Sequence, residues 1–354
     1  MSTKYTILAK LPINLKKEHY RLFKDKQKYI LKPIKVRHLK NVFVSHYGLC
    51  LKNLLLVPKS APNLKGSKDK TFYYKFWRLT IEQYFVCKYG KSLSSVTLKD
   101  NNKYLLIYSK WFGYFFWITQ CLPRLFMVQD KINDYVLIYP ESWGNMKFVN
   151  DSLSMFPMLQ KKIILSDNHL FIENLVLPEV HPYTASFDPE IVNLVREKLH
   201  DYIDKNNINL SLGDFIYATR QQTNRRMLSN EAEVQKLLSE YKFTTINFED
   251  YNFFEQVSIM KNAKIFISIH GAGFANINFM KPGGSTLELI NEQYAKTEYR
   301  FPFWKLSSAL GLNPYIQFCK SENNPEIPIF VNNNICVDLE ELKNNINLII
   351  NNLN

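Results

Sequence analysis

The chain has 354 residues, of which 46% are hydrophobic and 22% charged, a composition that supports packed cores and excludes a largely disordered protein. Its net charge of +13 is uneven, because residues 1–70 hold 17 Lys or Arg against 3 acidic residues and residues 71–354 are close to neutral. The first thirty residues contain no apolar run long enough for a signal peptide, and the densest apolar stretch, at residues 112–118, is far shorter than the roughly 20 residues of a membrane-spanning helix.

The five cysteines are scattered and form neither a CxxC pair nor a metal-like spacing with histidine. Such a set is typical of reduced core thiols and argues against a zinc or disulfide framework. We therefore expect a cytoplasmic protein.

The first half of the chain contains short runs typical of strands, at residues 41–45, 54–57, 104–108 and 135–139. Between the last two lies the aromatic-rich segment WFGYFFWITQCLPRLFMVQD, which predicts a helix up to Cys121 and an interruption near Pro123. The order strand, helix, strand predicts a βαβ unit.

A domain boundary is indicated by LPEVHPYTASFDP, residues 177–189, which contains three prolines. Proline fixes φ and removes a backbone donor, so the stretch favours an extended connection. We predict an N-terminal domain at residues 1–185, with its basic region at 1–70, and a C-terminal domain at residues 190–354.

The second half alternates between strand and helix patterns, which predicts an α/β fold with a parallel sheet. The predicted strands are 215–219, 243–248, 264–269, 285–290 and 315–318. The predicted helices are 231–241, a segment marked by Phe253, Val257 and Met260, 303–310 and 338–352.

The strongest local signal is KIFISIHGAGFANINFM, in which His270 follows a buried strand that ends at Ile269. Gly271 and Gly273 allow a sharp turn and close approach to a ligand, and a short helix from Phe274 would favour an anion at its N-terminus. An ordinary turn with a satisfied histidine explains the spacing equally well. Because GAG is not GxGxxG, a Rossmann dinucleotide site is poorly supported.

Two further features follow neighbouring strands. Glu288 in STLELI could accept hydrogen bonds from a ribose diol, although an exposed strand glutamate is the commoner case. Arg220, Arg225 and Arg226 in YATRQQTNRRMLSNE have forked donors suited to phosphate, although a solvated basic loop is the commoner case, and Ser229 or Asn230 would cap the helix that follows.

The segments YATR…RRMLSNE and HGAGFANINFMKPGGSTLEL resemble glycosyltransferase family 61. The resemblance covers roughly residues 210–350 and continues through FWKLSSALGLNPYIQF and the last helix. In the first half, WFGYFFWITQCLPRL is similar to the family's segment around a Trp and a Leu-Pro-Arg, here Trp117 and residues 122–124.

The resemblance implies a GT-B architecture, with two Rossmann-like domains facing a central cleft, and an inverting transferase that uses a nucleotide sugar, usually a UDP-sugar. It implies donor binding by the C-terminal domain, at Arg220, Arg225, His270, Gly271, Ala272, Gly273, Asn276 and Glu288. It implies acceptor binding by the N-terminal domain, with Trp117 and Arg124 as the matching positions. No cofactor and no metal are implied, and the chain has no DxD motif.

One departure from the family pattern concerns the general base. Phe116 and Gln120 stand where the family has His and an acid, and neither can take a proton from an acceptor hydroxyl. The catalytic residue is therefore unassigned, with His270 as a candidate.

The leading hypothesis is a transferase of surface polysaccharide biosynthesis whose basic N-terminal region attaches to the inner face of the membrane, near a lipid-linked glycan acceptor. A solvated lysine-rich surface explains the charge equally well. Two alternatives stay open: a basic nucleic-acid-binding protein, and a catalytically inactive glycan-binding relative.

Overall fold

The protein is described by a computed structural model that covers residues 5–60, 70–90, 93–109, 111–157, 159, 162–165, 168–181, 185–221, 226–296, 301–322 and 333–353. Its contacts divide it into two units. Unit 1 contains residues 31–186, and unit 2 contains residues 5–30 and 187–354.

The β-strands, in chain order, are β1 (Tyr5–Leu8), β2 (Lys28–Leu31), β3 (Val36–Val44), β4 (Cys50–Lys52), β5 (Leu55–Leu56), β6 (Ser95–Leu98), β7 (Lys103–Leu106), β8 (Tyr135–Pro140), β9 (Lys162–Leu165), β10 (His169–Pro178), β11 (Phe215–Ala218), β12 (Thr244–Ile246), β13 (Ile265–Ile269), β14 (Ser285–Asn291), β15 (Asn313–Ser321) and β16 (Ile335–Cys336).

The α-helices are α1 (Tyr20–Gln27), α2 (Lys70–Tyr89), α3 (Tyr114–Phe116), α4 (Leu122–Phe126), α5 (Lys147–Leu153), α6 (Pro189–Lys205), α7 (Glu231–Glu240), α8 (Phe253–Asn262), α9 (Pro302–Ala309) and α10 (Leu339–Asn351). A π-helical turn, Trp117–Cys121, joins α3 to α4. The 3₁₀ segments are Lys17–His19, Gln129–Asp134, Glu141–Trp143, Phe248–Asp250, Ala272–Phe279 and Glu292–Lys296.

Unit 1 is built on a mixed sheet with the order β5-β4-β3-β10-β7-β8-β9, in which β6 also pairs with β10. β3 and β10 are antiparallel, whereas β7 and β8 are parallel, as the predicted βαβ unit requires. The run YVLIYP of β8 is buried along almost its whole length, which is typical of a strand covered on both faces. Helix α2 packs Phe76 against Phe43 and Leu51 of the β3–β5 end of this sheet.

Unit 2 is built on a sheet with the order β12-β11-β13-β14-β15-β16, parallel except for β16. Strands β13 and β14 are buried at every position and supply the centre of the core. Because the strands are parallel, the ends of β11 and β13 lie at the same edge of the sheet.

Residues 5–30 pack within unit 2, although the sequence placed them in the N-terminal domain of residues 1–185. The Nδ2 atom of Asn14 donates to the carbonyl of Ile316 at 2.8 Å, and the ring of Phe23 lies 4.9 Å from that of Trp304. The basic residues of this stretch therefore belong to the unit that contains the HGAG turn. Within the described ranges, no helix is long and apolar enough to cross a membrane.

The strands and helices predicted for the second half are present, with ends displaced by no more than three residues. The predicted interruption near Pro123 is wrong, because the chain stays helical from Tyr114 to Phe126, with a π-helical turn directly before the segment that contains Pro123. The predicted side-chain cap of α7 is also wrong. Asn230 precedes α7, but its amide bonds to the backbone of Val337.

Candidate functional site

A histidine and a glutamate on adjacent strands form a buried pair in unit 2. Glu288 lies in the middle of β14 opposite Ser268, and His270 follows β13, so the imidazole reaches sideways to the next strand. The Nδ1 atom of His270 is hydrogen-bonded to Oε1 of Glu288. Only 7% of the surface of His270 and 2% of that of Glu288 is exposed. Burial of a polar group is unfavourable unless it is hydrogen-bonded, and each of the two residues supplies that partner for the other.

The imidazole is held by its surroundings as well as by the carboxylate. The rings of Tyr294 and Phe303 lie 5.2 and 5.3 Å from that of His270, and the His270 backbone N–H donates to the carbonyl of Leu289. Burial raises the pKa of Tyr294 to about 12, an effect that Glu288 reinforces and nearby Arg226 opposes. The orientation of His270 is therefore determined by tertiary packing.

Two arginines converge on the glycine that follows His270. A Cβ atom added to Gly271 would lie 2.5 Å from Nη1 of Arg220 and 3.8 Å from Nη1 of Arg226. The φ of Gly271 is 172°, an extended conformation open to any residue, so the arginines and not the backbone demand glycine here. Two guanidinium groups this close repel each other, and an anion between them would remove the repulsion.

Arg226 was named from the sequence as a possible phosphate contact, but it was not among the donor-binding positions that the family resemblance implied. It adopts a left-handed conformation, with φ 57°, and its buried Nε atom has no hydrogen-bond partner among the described residues. Arg225, which the sequence assigned to the donor, lies outside the described residues. An Arg-Arg pair in a turn is a visible signal, but the sequence does not show which of the two faces the site.

The turn after His270 opens a 3₁₀ segment, Ala272–Phe279, instead of a helix that begins at Phe274. Ala272 is exposed and Gly273 half-buried, so the start of this segment is accessible. Asn276 is fully buried and donates to Oε1 of Gln256 at 3.2 Å. This bond attaches the 3₁₀ segment to Gln256 of α8. Contact of Asn276 with a donor stays a prediction.

The two acceptor positions are side chains of the unit 1 core. Trp117 is 1% exposed and its indole N–H donates to Oγ of Ser152 at 2.8 Å. Arg124 is fully buried and donates to the carbonyls of Ile107, Tyr108 and Ser60 at 2.7, 3.0 and 2.9 Å. Burial lowers the pKa of Arg124 to about 10. Both residues support the fold, and acceptor binding by them stays a prediction.

The positions that depart from the family pattern flank the π-helical turn. Phe116 is half-buried, with its ring stacked 6.2 Å from that of Trp111. Gln120 is buried, and its Oε1 atom has no hydrogen-bond partner within the described ranges. Neither supplies a base.

Comparison with known proteins places these features in one family. The sequence profile of the family described as Glycosyltransferase 61 matches residues 114–287. Three similar proteins are each described as Protein O-linked-mannose beta-1,4-N-acetylglucosaminyltransferase 2. The one from Bos taurus is 27% identical over 127 residues, covering 34% of this chain and 22% of the relative. Those from Homo sapiens and Mus musculus are 28% and 29% identical over 104 and 105 residues, covering 28% and 29% of this chain and 18% of each relative.

The matched region of this chain thus spans only about a fifth of the length of these relatives. The profile match contains the segment around Trp117, Arg220, Arg226 and His270, and it ends one residue before Glu288. Residues 114–287, just under half of the chain, therefore match the sequence profile of glycosyltransferase family 61.

Proposed function

We propose that this protein is an inverting glycosyltransferase that transfers a sugar from a UDP-sugar, without a metal, to a glycan or glycoconjugate acceptor. The observation that carries the proposal is the convergence of Arg220 and Arg226 on Gly271, beside the buried His270–Glu288 pair. A dianionic diphosphate is the ligand that two forked cations and the backbone N–H of the exposed Ala272 would bind.

In this reaction the acceptor hydroxyl attacks the anomeric carbon, the bond from that carbon to the diphosphate breaks, and a base takes the hydroxyl proton. Negative charge grows on the departing diphosphate. Arg220 and Arg226 would therefore bind the transition state more tightly than the donor, which lowers the barrier. His270, oriented by Glu288, would hydrogen-bond the same oxygens or the sugar, and Glu288 is also proposed to contact the ribose.

The names of the relatives guide the choice of substrates. We propose UDP-N-acetylglucosamine as the first donor to test and an O-linked mannoside as the first acceptor, with surface polysaccharide precursors as the second. We also propose that lysines and arginines of residues 1–70 hold the protein at an anionic membrane surface, where each contributes on the order of 1 kcal/mol.

The test is a thermal-shift screen against UDP, GDP and CMP and their sugars, in excess EDTA and again with manganese. A nucleotide at 100 times its Kd should stabilise the native protein by about 2.7 kcal/mol. Arg226→Ala should reduce the stabilisation to about half or less, because the loss of one charge-assisted interaction weakens binding about tenfold or more, whereas Arg78→Ala, at a side chain that is 79% exposed in unit 1, should keep it. No response to any nucleotide would refute the proposal, and a response that requires manganese would refute its metal independence.

Turnover separates the transferase from the inactive alternative. Slow hydrolysis of the donor, measured by chromatography of the released nucleotide, would establish that the site performs chemistry. Nucleotide binding with no hydrolysis and no transfer to any acceptor would favour the catalytically inactive relative.

A further inference from the structure

The central strand of unit 1 changes partners at Glu173. On one edge, the antiparallel pairing of β10 with β3 runs from Leu170 to Pro178 but skips Glu173 and the residue opposite it, Asn41. Asn41 has a left-handed backbone, with φ 53°. On the other edge, β10 pairs with β6 up to Ile172 and with β7 from Leu175. The pairing of β10 is therefore interrupted on both edges at Glu173, by a single missing pair on the β3 edge and by the exchange of β6 for β7 on the other, and we call this interruption the split of the sheet.

A pocket of about 310 Å³ opens at this split, between the sheet and helix α2. Three of its lining rings, those of Phe43, Tyr84 and Phe171, contact one another with centroids 5.2 to 5.8 Å apart. The volume lies at the lower end of the range for small-molecule sites. The pocket thus has an aromatic wall formed by tertiary packing.

Polar side chains surround the aromatic wall. Asn41, Asn53, Lys99 and Glu173 line the pocket, and all of them except the half-buried Glu173 are exposed. Asn53, like Asn41, is held in a left-handed conformation, with φ 51°. Among the described residues the Glu173 carboxylate has no hydrogen-bond or ion-pair partner. A ring face flanked by amides and a carboxylate matches a pyranose, which has one apolar face and a rim of hydroxyls.

We propose that this pocket is a carbohydrate-binding site that holds one pyranose unit of a glycan, with the ring against Tyr84 and Phe171 and the hydroxyls on Glu173 and Asn53. The choice of carbohydrate as the ligand rests on the proposed function, because a glycosyltransferase requires a glycan acceptor. The exposed, nearly parallel rings of Phe85 and Tyr89 on α2, 6.1 Å apart, offer a second stacking surface for a longer chain.

An anionic membrane surface is the competing occupant, because lysines beside exposed aromatic rings are also typical of membrane interfaces. The carboxylate of Glu173 argues against it, since burying a negative charge against anionic headgroups is unfavourable. The pocket is also concave, so a flat bilayer surface would contact less of its apolar lining than a single sugar ring inside it would.

The experiment is saturation-transfer NMR of the full chain with methyl α-mannopyranoside, methyl β-N-acetylglucosaminide, methyl β-galactopyranoside and their disaccharides. We expect saturation of the ring protons of at least one glycoside, reduced fivefold or more in Glu173→Gln. Glu82→Gln, a matched change on α2 outside the pocket lining, should keep the wild-type signal. Lys99→Ala, at an exposed position, provides a second pocket variant with little effect on folding.

Two outcomes would overturn the inference: no transfer to any glycoside, or equal transfer in wild type and Glu173→Gln. Binding to vesicles of phosphatidylcholine and phosphatidylserine is measured as well. If Lys99→Ala weakens vesicle binding as much as it weakens glycoside binding, the pocket belongs to a membrane-binding surface instead. The UDP thermal shift is measured on the same samples. An intact shift with no glycoside binding refutes this inference alone, whereas glycoside binding with no shift refutes the proposed function alone.

Discussion

Gly271→Ala tests whether the arginine pair forms the donor site. The new methyl carbon would lie 2.5 Å from Nη1 of Arg220, about 1 Å inside an ordinary contact, so the guanidinium must move by roughly that distance. The loss of one charge-assisted interaction weakens binding by about 1.5–3 kcal/mol, or roughly tenfold to 150-fold. The native fold should be unaffected, because the extended backbone of Gly271 accepts alanine without strain.

The control for this variant lies two residues away. A Cβ atom on Gly273 would meet only the ring of Phe248, at 3.7 Å, which is ordinary van der Waals contact. Isothermal titration with UDP should therefore show the loss in Gly271→Ala and near-wild-type affinity in Gly273→Ala, with both proteins melting within a few degrees of wild type. Equal losses in the two variants, or an unchanged Gly271→Ala, would refute the role assigned to the arginines.

Three other predictions concern buried polar groups. Glu288→Gln should lower kcat/KM for the donor about tenfold or more, because it frees His270 and weakens the proposed ribose contact. The double variant with His270→Ala should lose less than the sum of the two single losses, since the two residues act as a pair, and fully additive losses would show that Glu288 does not act through His270. Arg124→Met leaves three backbone carbonyls without their donor and should reduce the free energy of unfolding in urea by about 3–5 kcal/mol; unchanged stability with impaired acceptor kinetics would support the acceptor role instead. Burial lowers the pKa of His169 to about 4, so the unfolded chain binds a proton that the native protein does not between pH 6.5 and 4, and stability should fall as the pH falls through that range. His169→Phe, which keeps the ring stacked on Phe43, should flatten this part of the stability curve, and an equally steep curve would contradict the assignment.

The sequence by itself determined the organisation of the second half and the resemblance to one family. Strands such as β13 and helices such as α7 were predictable because the side chains that each element buries follow from its own period, as Val234 and Leu238 show on α7. The HGAG turn and Glu288 were visible for the same reason, since their residue types are informative at short range.

Only the tertiary structure decided the partners of these residues. The approach of Arg226 to the Gly271 position, the pairing of Glu288 with His270 and the packing of residues 5–30 in unit 2 join positions 18 to more than 300 residues apart. The periodicity of a single helix or strand gives no information about contacts between residues so far apart in the chain. Helix α2 escaped prediction because its aromatic residues occur on the exposed as well as the buried face, as Phe76 and Phe85 show. The split of the sheet at Glu173 depends on strand register, and register is determined by packing across strands that are distant in the chain.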